Sequence, residues 1–208
     1  MARRADLAAC NAVAGPRGAR AHRTAGGGAP HRGAASRVSK TETLDPILPE
    51  DLSKKAREVL GLAAEREIPL ITAESCTGGL LAALLTDVPG CSHIFERGFV
   101  VYSDDAKCDL LMVDRDELER CGAVSREIAI AMVKGALHRS RKGIGVAITG
   151  FAGPGGDGDE EGLVHFACGA HDGEVAHREE HFGAIGRDGV RIAALAVALD
   201  MVDNALRA

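Results

Sequence analysis

A serine lies at the apex of a sharp turn between two apolar segments. The turn, TAESCTGG at residues 72–79, follows the apolar run 68–71 and precedes the helix-forming run 80–85. This pattern predicts a strand-to-helix turn that can aim Ser75 as a nucleophile. The first amides of such a helix lack intrahelical partners, so they suit an oxyanion or a phosphate close to Ser75 and Thr77. The pattern is also typical of an ordinary N-capped helix, in which Ser75 or Thr77 only satisfies those amides.

Lys107 is the candidate general base for Ser75. A serine hydroxyl needs a group that takes its proton, and a lysine can do so once burial or a neighbouring cation lowers its pKa. Tyr102, at the end of an apolar run, could relay the proton or donate to the substrate. In the alternative interpretation Lys107 is a solvated helix residue beside Asp104 and Asp105, and Tyr102 is an ordinary strand aromatic.

Cys76 is a second candidate nucleophile. It would act if the helix N-terminus lowered the pKa of its thiol. The alternative is a buried structural cysteine, and neighbouring side chains on such a turn point in different directions.

Two later segments could bind an anion. The glycine-rich loop 150–158 offers many unobstructed backbone amides, as phosphate-binding nests do, although it matches neither a Walker loop nor a dinucleotide fingerprint. Arg187 and Arg191 fall at the start of the last predicted helix, where both could reach an anion. A mobile surface loop and solvated arginines are the alternatives.

The elements around these residues alternate between strand and helix. Helices are predicted near residues 53–67, 80–87, 104–111, 126–138 and 187–206, and strands at 69–73, 98–102, 144–149, 163–169 and 174–182. Ser103 and Ser125 are the predicted N-caps of the third and fourth helices. Strands separated by helices and followed by a hairpin predict a three-layer α/β/α sandwich on a mixed, mostly parallel sheet. The Ser75 turn, the Lys107 segment and the glycine loop all follow strands, so they should meet at one edge of the sheet.

Composition restricts the function classes. The 208-residue chain has a net charge of −5 and no extended basic region, so we expect neither nucleic-acid binding nor a membrane span. Its six cysteines are widely spaced, which favours reduced thiols in a cytoplasmic protein without a structural metal or cofactor. The sequence leaves open whether the chain forms a homo-oligomer.

His177 and His181 have the spacing of a helical metal pair, but the segment around them reads as a strand. In a strand both would face one side with Glu179 between them. We therefore interpret them as part of a solvated sheet face.

The first 46 residues are rich in Arg, Ala and Gly and nearly free of acids. Such a segment buries too little apolar surface to offset its chain entropy, so disorder is predicted for 1–46 and one folded domain for 47–208.

Five segments, in order, resemble the C-terminal domain of the CinA family. They are TAESCTGG at 72–79, FERGFVVYSDDAK at 95–107, GAVS at 122–125, TGFAGPGG at 149–156 and GRDGVR at 186–191. Within that family the chain is most similar to the stand-alone nicotinamide mononucleotide amidohydrolases.

The resemblance implies hydrolysis of the carboxamide of nicotinamide mononucleotide to nicotinate mononucleotide and ammonia, a step of pyridine nucleotide salvage in NAD metabolism. It assigns the nucleophile to Ser75, the base to Lys107 and the tyrosine to Tyr102, with no metal or cofactor. The positions expected to bind the substrate are Thr77, Gly78, Gly79, Thr149, Gly150, Gly153, Gly155, Arg187 and Arg191.

The chain departs from the family pattern at two positions near these segments. Asp104 stands where asparagine is usual, three residues from Lys107, and Leu163 replaces a common threonine. The alternative function is therefore a non-catalytic nucleotide-binding or interaction module of the same family.

Overall fold

The computed structural model describes residues 48–140, 142–156 and 158–208. The disorder predicted for residues 1–46 lies outside these ranges. The elements, in chain order, are α1 (Glu50–Glu65), β1 (Leu70–Glu74), α2 (Leu80–Thr86), β2 (Phe95–Val100), α3 (Asp104–Leu111), α4 (Arg115–Cys121), α5 (Arg126–His138), β3 (Ile144–Gly150), β4 (Leu163–Ala170), β5 (Val175–His181) and α6 (Gly186–Arg207).

The five strands form a single sheet in the order β2-β1-β3-β4-β5. Strand β1 pairs in parallel with both β2 and β3, whereas β3–β4 and β4–β5 are antiparallel. The predicted mixed sheet is confirmed, but it is evenly divided between the two kinds of pairing. The antiparallel half arises because β4 and β5 follow β3 without an intervening helix, and a parallel pair usually needs a helical crossover between its strands.

Helices cover both faces of the sheet, which confirms the α/β/α sandwich. One core joins α1, α2 and α6 to strand residues such as Ile148 and Phe166. The other joins α3, α4 and α5 to the opposite strand faces, with Ala73 and Ala147 among its buried residues. This alternation follows from the two-residue period of a strand, which sends successive side chains to opposite layers.

Two predicted helix starts are confirmed in detail. The hydroxyl of Ser103 accepts from the Ala106 amide at 3.2 Å, and that of Ser125 accepts from the Ile128 amide at 3.3 Å. Each side chain satisfies an amide that has no intrahelical partner. The first of these caps fixes the start of the helix that carries Lys107.

A close helix contact fixes the other end of α3. A Cβ at Gly135 would overlap the Leu111 carbonyl oxygen, so α5 approaches α3 backbone to backbone only because residue 135 is glycine. Within the described ranges no helix has the length and apolarity needed to cross a membrane.

Candidate active site

A cavity of about 210 Å³ opens where β1 and β3 end. The predicted residues that line it are Ser75, Cys76, Tyr102, Asp104, Lys107, Thr149, Gly150 and Arg187. The wall is completed by residues of the segments 122–125 and 149–156 that were not singled out individually, namely Ala123, Val124, Phe151 and Ala152. The strand ends therefore bring the proposed nucleophile, base and one arginine to the same place, as expected for an α/β sheet.

The Ser75 backbone is anchored to the neighbouring strand. Its amide donates to the Ile148 carbonyl at 2.9 Å, which continues the β1–β3 pairing one residue beyond β1. The serine is 7% exposed. Its position at the rim of the cavity is thus set by the sheet rather than by a mobile loop.

Lys107 is the largest fully buried side chain among those described, with 1% exposure. Its Nζ lies 3.6 Å from an Asp104 carboxylate oxygen and 3.5 Å from the Tyr102 carbonyl oxygen. Burial lowers the pKa of the Lys107 amine, and the Asp104 carboxylate opposes that shift. Only the neutral amine of a lysine can accept a proton, and burial favours that neutral form by lowering the pKa.

Glu74 occupies the amides that were expected to stabilise an oxyanion. Its carboxylate is buried and accepts from the amides of Gly79, Leu81 and Ala82 at 3.1, 3.0 and 2.8 Å. The helix α2 begins at Leu80, later than the turn itself, and no side chain at its N-cap satisfies it. The expectation that these helix amides face the substrate is therefore wrong, and so is the alternative that Ser75 or Thr77 caps the helix.

The remaining amides of the turn are those of Cys76 and Thr77. Both lower the pKa of the Cys76 thiol, against the larger effect of burial. Within the described part of the chain neither donates to a backbone carbonyl or to Glu74. A thiol is a weak hydrogen-bond acceptor. Either amide is therefore able to donate to a stronger acceptor, such as a substrate oxygen.

Cys76 has the opposite character from an activated thiol. Burial, together with the nearby Glu74 carboxylate, raises the pKa of Cys76 to about 12. This direction runs against the alternative in which the helix N-terminus lowers the pKa of the thiol and makes Cys76 the nucleophile.

Replacement of Cys76 by alanine is accordingly expected to retain about half or more of kcat, since only a protonated thiol is lost. Steady-state ammonia release from nicotinamide mononucleotide measures this. Loss of activity in Cys76→Ala with a preserved melting temperature would instead identify the cysteine as the nucleophile.

The other predicted binding residues divide into two groups. Thr149 donates its hydroxyl to the Ala123 carbonyl at 2.7 Å, and the Arg187 guanidinium packs over Gly153, where a Cβ would lie 3.1 Å from it. By contrast, Arg191 donates to the Thr77 carbonyl at 2.6 Å and does not line the cavity.

The glycine loop is partly closed by an acid. The Gly156 amide donates to the Asp159 carboxylate at 2.8 Å, and that carboxylate also fills the space beside Gly155. The predicted binding residues that do not line the cavity are Thr77, Gly78, Gly79, Gly153, Gly155 and Arg191. Fewer of the predicted binding residues therefore line the cavity than the sequence predicts, and Arg187 is the only one of the two predicted arginines that lines it.

Comparison with known proteins places this geometry in a family. The profile of the CinA C-terminal domain matches residues 52–206. The chain belongs to the CinA C-terminal domain family. The solved competence/damage inducible protein CihA from Agrobacterium tumefaciens is similar, with a TM-score of 0.75 and 44% identity over 78% of this chain and 99% of that one.

Two CinA-like proteins are also similar. The protein from Chlorobium limicola is 47% identical over 60% of this chain and 30% of its own length. The protein from Thermosynechococcus vestitus is 43% identical over 71% of this chain and 36% of its own length. The chain thus spans about a third of the length of these curated relatives.

Proposed function

We propose that the chain hydrolyses the carboxamide of nicotinamide mononucleotide to nicotinate mononucleotide and ammonia. One observation carries the proposal. A serine at a strand end and a fully buried lysine of lowered pKa line the same cavity. Such a pair is the arrangement in which a hydroxyl becomes a nucleophile without histidine.

In the proposed first step the Ser75 Oγ attacks the carboxamide carbon while Lys107 Nζ takes the hydroxyl proton. The carbonyl π electrons move to oxygen and give a tetrahedral oxyanion, which we assign to the amide of Cys76, the residue after Ser75 that also lines the cavity. Such a donor is worth roughly 3 kcal/mol. When the oxyanion collapses, the C–N bond breaks, and the leaving nitrogen takes the proton from Lys107 and departs as ammonia.

The second step returns the serine. Water attacks the acyl ester as Lys107 again accepts a proton, and collapse releases nicotinate mononucleotide with the proton passing to Ser75 Oγ. Tyr102 contributes a carbonyl that holds Lys107 Nζ, while its side chain, 68% exposed, lines the cavity. We assign the exposed ring to contact with the pyridine ring of the substrate.

The test is release of ammonia from nicotinamide mononucleotide by the purified full-length chain. Stoichiometric ammonia and nicotinate mononucleotide support the proposal. Tight binding of the mononucleotide without turnover would instead support the non-catalytic module, for which the Asp104 carboxylate inside the cavity is the relevant observation.

The pH profile should report the charge on Lys107. Only the neutral amine accepts a proton, so kcat/KM should rise as pH increases through the pKa of Lys107. Asp104 raises that pKa. Asp104→Asn should therefore lower the pKa and move the rising limb to lower pH.

Asp105→Asn is the matched control, because Asp105 is exposed and pairs with Arg115 at the surface. Its profile should coincide with that of the parent. An Asp104→Asn profile that does not move, or moves to higher pH, contradicts the assignment of Lys107 as base.

Arg187 is expected to bind the phosphate. Arg187→Ala should raise KM for nicotinamide mononucleotide by about tenfold with a smaller change in kcat, because phosphate contacts are shared by ground and transition states. Nicotinamide riboside, which lacks the phosphate, should be a poor substrate for the parent and insensitive to the substitution.

Arg66→Ala, an exposed arginine after α1, provides the control for loss of a positive charge. Equal kcat/KM values for riboside and mononucleotide with the parent enzyme would exclude a phosphate site at Arg187.

A further inference from the structure

The β4–β5 hairpin brings two histidines and a glutamate together outside the cavity. His165 on β4 lies opposite Glu179 on β5, and the next pair on the same face places His177 opposite Ala167. Sequence reasoning placed His177 and Glu179 on one strand face but missed His165, which only the register of the hairpin adds. The face is also less solvated than predicted, since His165 is 6% exposed.

The distances among these side chains suit a metal ion. His165 Nδ1 lies 3.2 Å from His177 Nε2 and 3.5 Å from a Glu179 carboxylate oxygen, and one ligand atom from each residue lies within 4.8 Å of the others. At Zn–N and Zn–O lengths of about 2.0–2.1 Å, the ligand atoms of a tetrahedral zinc ion are separated by about 3.3 Å. The two distances from His165 Nδ1 already lie close to that value.

Further groups hold the glutamate in place. The second carboxylate oxygen of Glu179 lies 3.0 Å from His181 Nε2, and His181 Nδ1 lies 2.6 Å from Glu160. A ligand carboxylate that is itself hydrogen-bonded is typical of metal sites. Two charged residues in the first turn of α5 also affect the pKa of His177. Arg126 lowers this pKa, and Glu127 raises it.

We propose that His165, His177 and Glu179 bind one divalent ion of the zinc class, with a fourth position left for water. Two imidazoles and one carboxylate are ligands that Zn²⁺ and Co²⁺ accept readily, whereas Mg²⁺ and Ca²⁺ prefer oxygen alone. The ion would tie the edge strand β5 to β4. This site is separate from the proposed hydrolysis, which needs no metal.

The alternative is a plain hydrogen bond between two neutral imidazoles, whose rings are stacked at 5.4 Å with an interplanar angle of 28°. The two can be distinguished with the full-length chain by titrating Co²⁺ and following its visible absorption. Four-coordinate N/O ligation gives ligand-field bands without the thiolate charge-transfer bands that a cysteine ligand would add.

His177→Gln and Glu179→Gln are the test variants, since both side chains are less buried than His165. Each should weaken metal binding at least about tenfold. Even residues that only hydrogen-bond to a metal ligand usually cost that much when they are replaced. His93→Gln, an exposed histidine of the loop before β2, should leave binding unchanged. Metal held by other histidines, such as His22 and His31, is common to all four proteins and drops out of the comparison.

A second readout is thermal. Zn²⁺ at about a hundred times its Kd should raise the melting temperature of the parent by about 5–10 °C, and the same Zn²⁺ concentration should raise that of either test variant by about half as much or less. The metal-free melting temperatures of the variants show that they fold. Equal metal affinity of parent and variants, or no Co²⁺ spectrum with the parent, would overturn the proposal and leave the histidine pair as a hydrogen bond.

Discussion

Ser75→Ala and Lys107→Met are each expected to reduce release of ammonia from nicotinamide mononucleotide by at least about a thousandfold. The serine variant lacks the nucleophile, and the methionine keeps most of the volume of a buried lysine while removing its amine. Because the two groups act in one step, the double variant should be hardly slower than either single variant. Initial rates under saturating substrate measure all three.

The controls change the same residue types elsewhere. Ser92→Ala and Lys134→Met alter exposed side chains outside the cavity and should leave kcat within about twofold, as expected for substitutions that touch no reacting group. Circular dichroism and melting temperatures check that every variant folds. Losses that multiply in the double variant would show that Ser75 and Lys107 act in different steps.

The layered fold could be predicted because most elements carry a clear apolar period. The strand 144–149 is apolar up to Thr149 and continuously buried, and the helix 126–138 has both a serine cap and a buried face. The helix α4 was missed because it is only seven residues long and buries only Leu118. One buried side chain gives no period to detect.

The meeting of Ser75 and Lys107 was also predictable. Both follow parallel strands that lie side by side, and the carboxyl ends of such strands share an edge of the sheet. The burial of Lys107 was not, because burial depends on how the other elements pack around α3, which α5 approaches closely at Gly135. The charge state of a lysine follows from its surroundings, which a linear sequence does not contain.

Glu74 and His165 escaped prediction for a different reason. Each has partners that only the folded backbone brings close. These are the α2 amides for Glu74 and the β5 side chains for His165. The available signal for Glu74 was an acid at the end of a continuously buried strand. Buried carboxylates require hydrogen-bond donors, so such a residue predicts that a set of amides lies close by.

Glu74→Gln should lower both stability and activity. The glutamine has one acceptor oxygen in place of two, and its NH₂ group would face amide donors that the carboxylate now satisfies. Loss of one or two charged hydrogen bonds at a helix N-terminus is worth about 3 kcal/mol of unfolding free energy. For a domain of this size that corresponds to a fall in melting temperature of about 6–12 °C.

The accompanying loss of activity follows from position, because Glu74 anchors the start of α2 and so fixes the turn that carries Ser75. The expected fall in kcat at a temperature where the variant remains folded distinguishes this positioning role from simple destabilisation. Glu65→Gln, an exposed acid near the end of α1, should change neither quantity. The contacts with the α2 amides predict that stability and rate fall together. A Glu74→Gln protein with the melting temperature of the parent but a lower kcat would contradict this. The carboxylate would then act on the substrate or on Lys107 rather than on the helix.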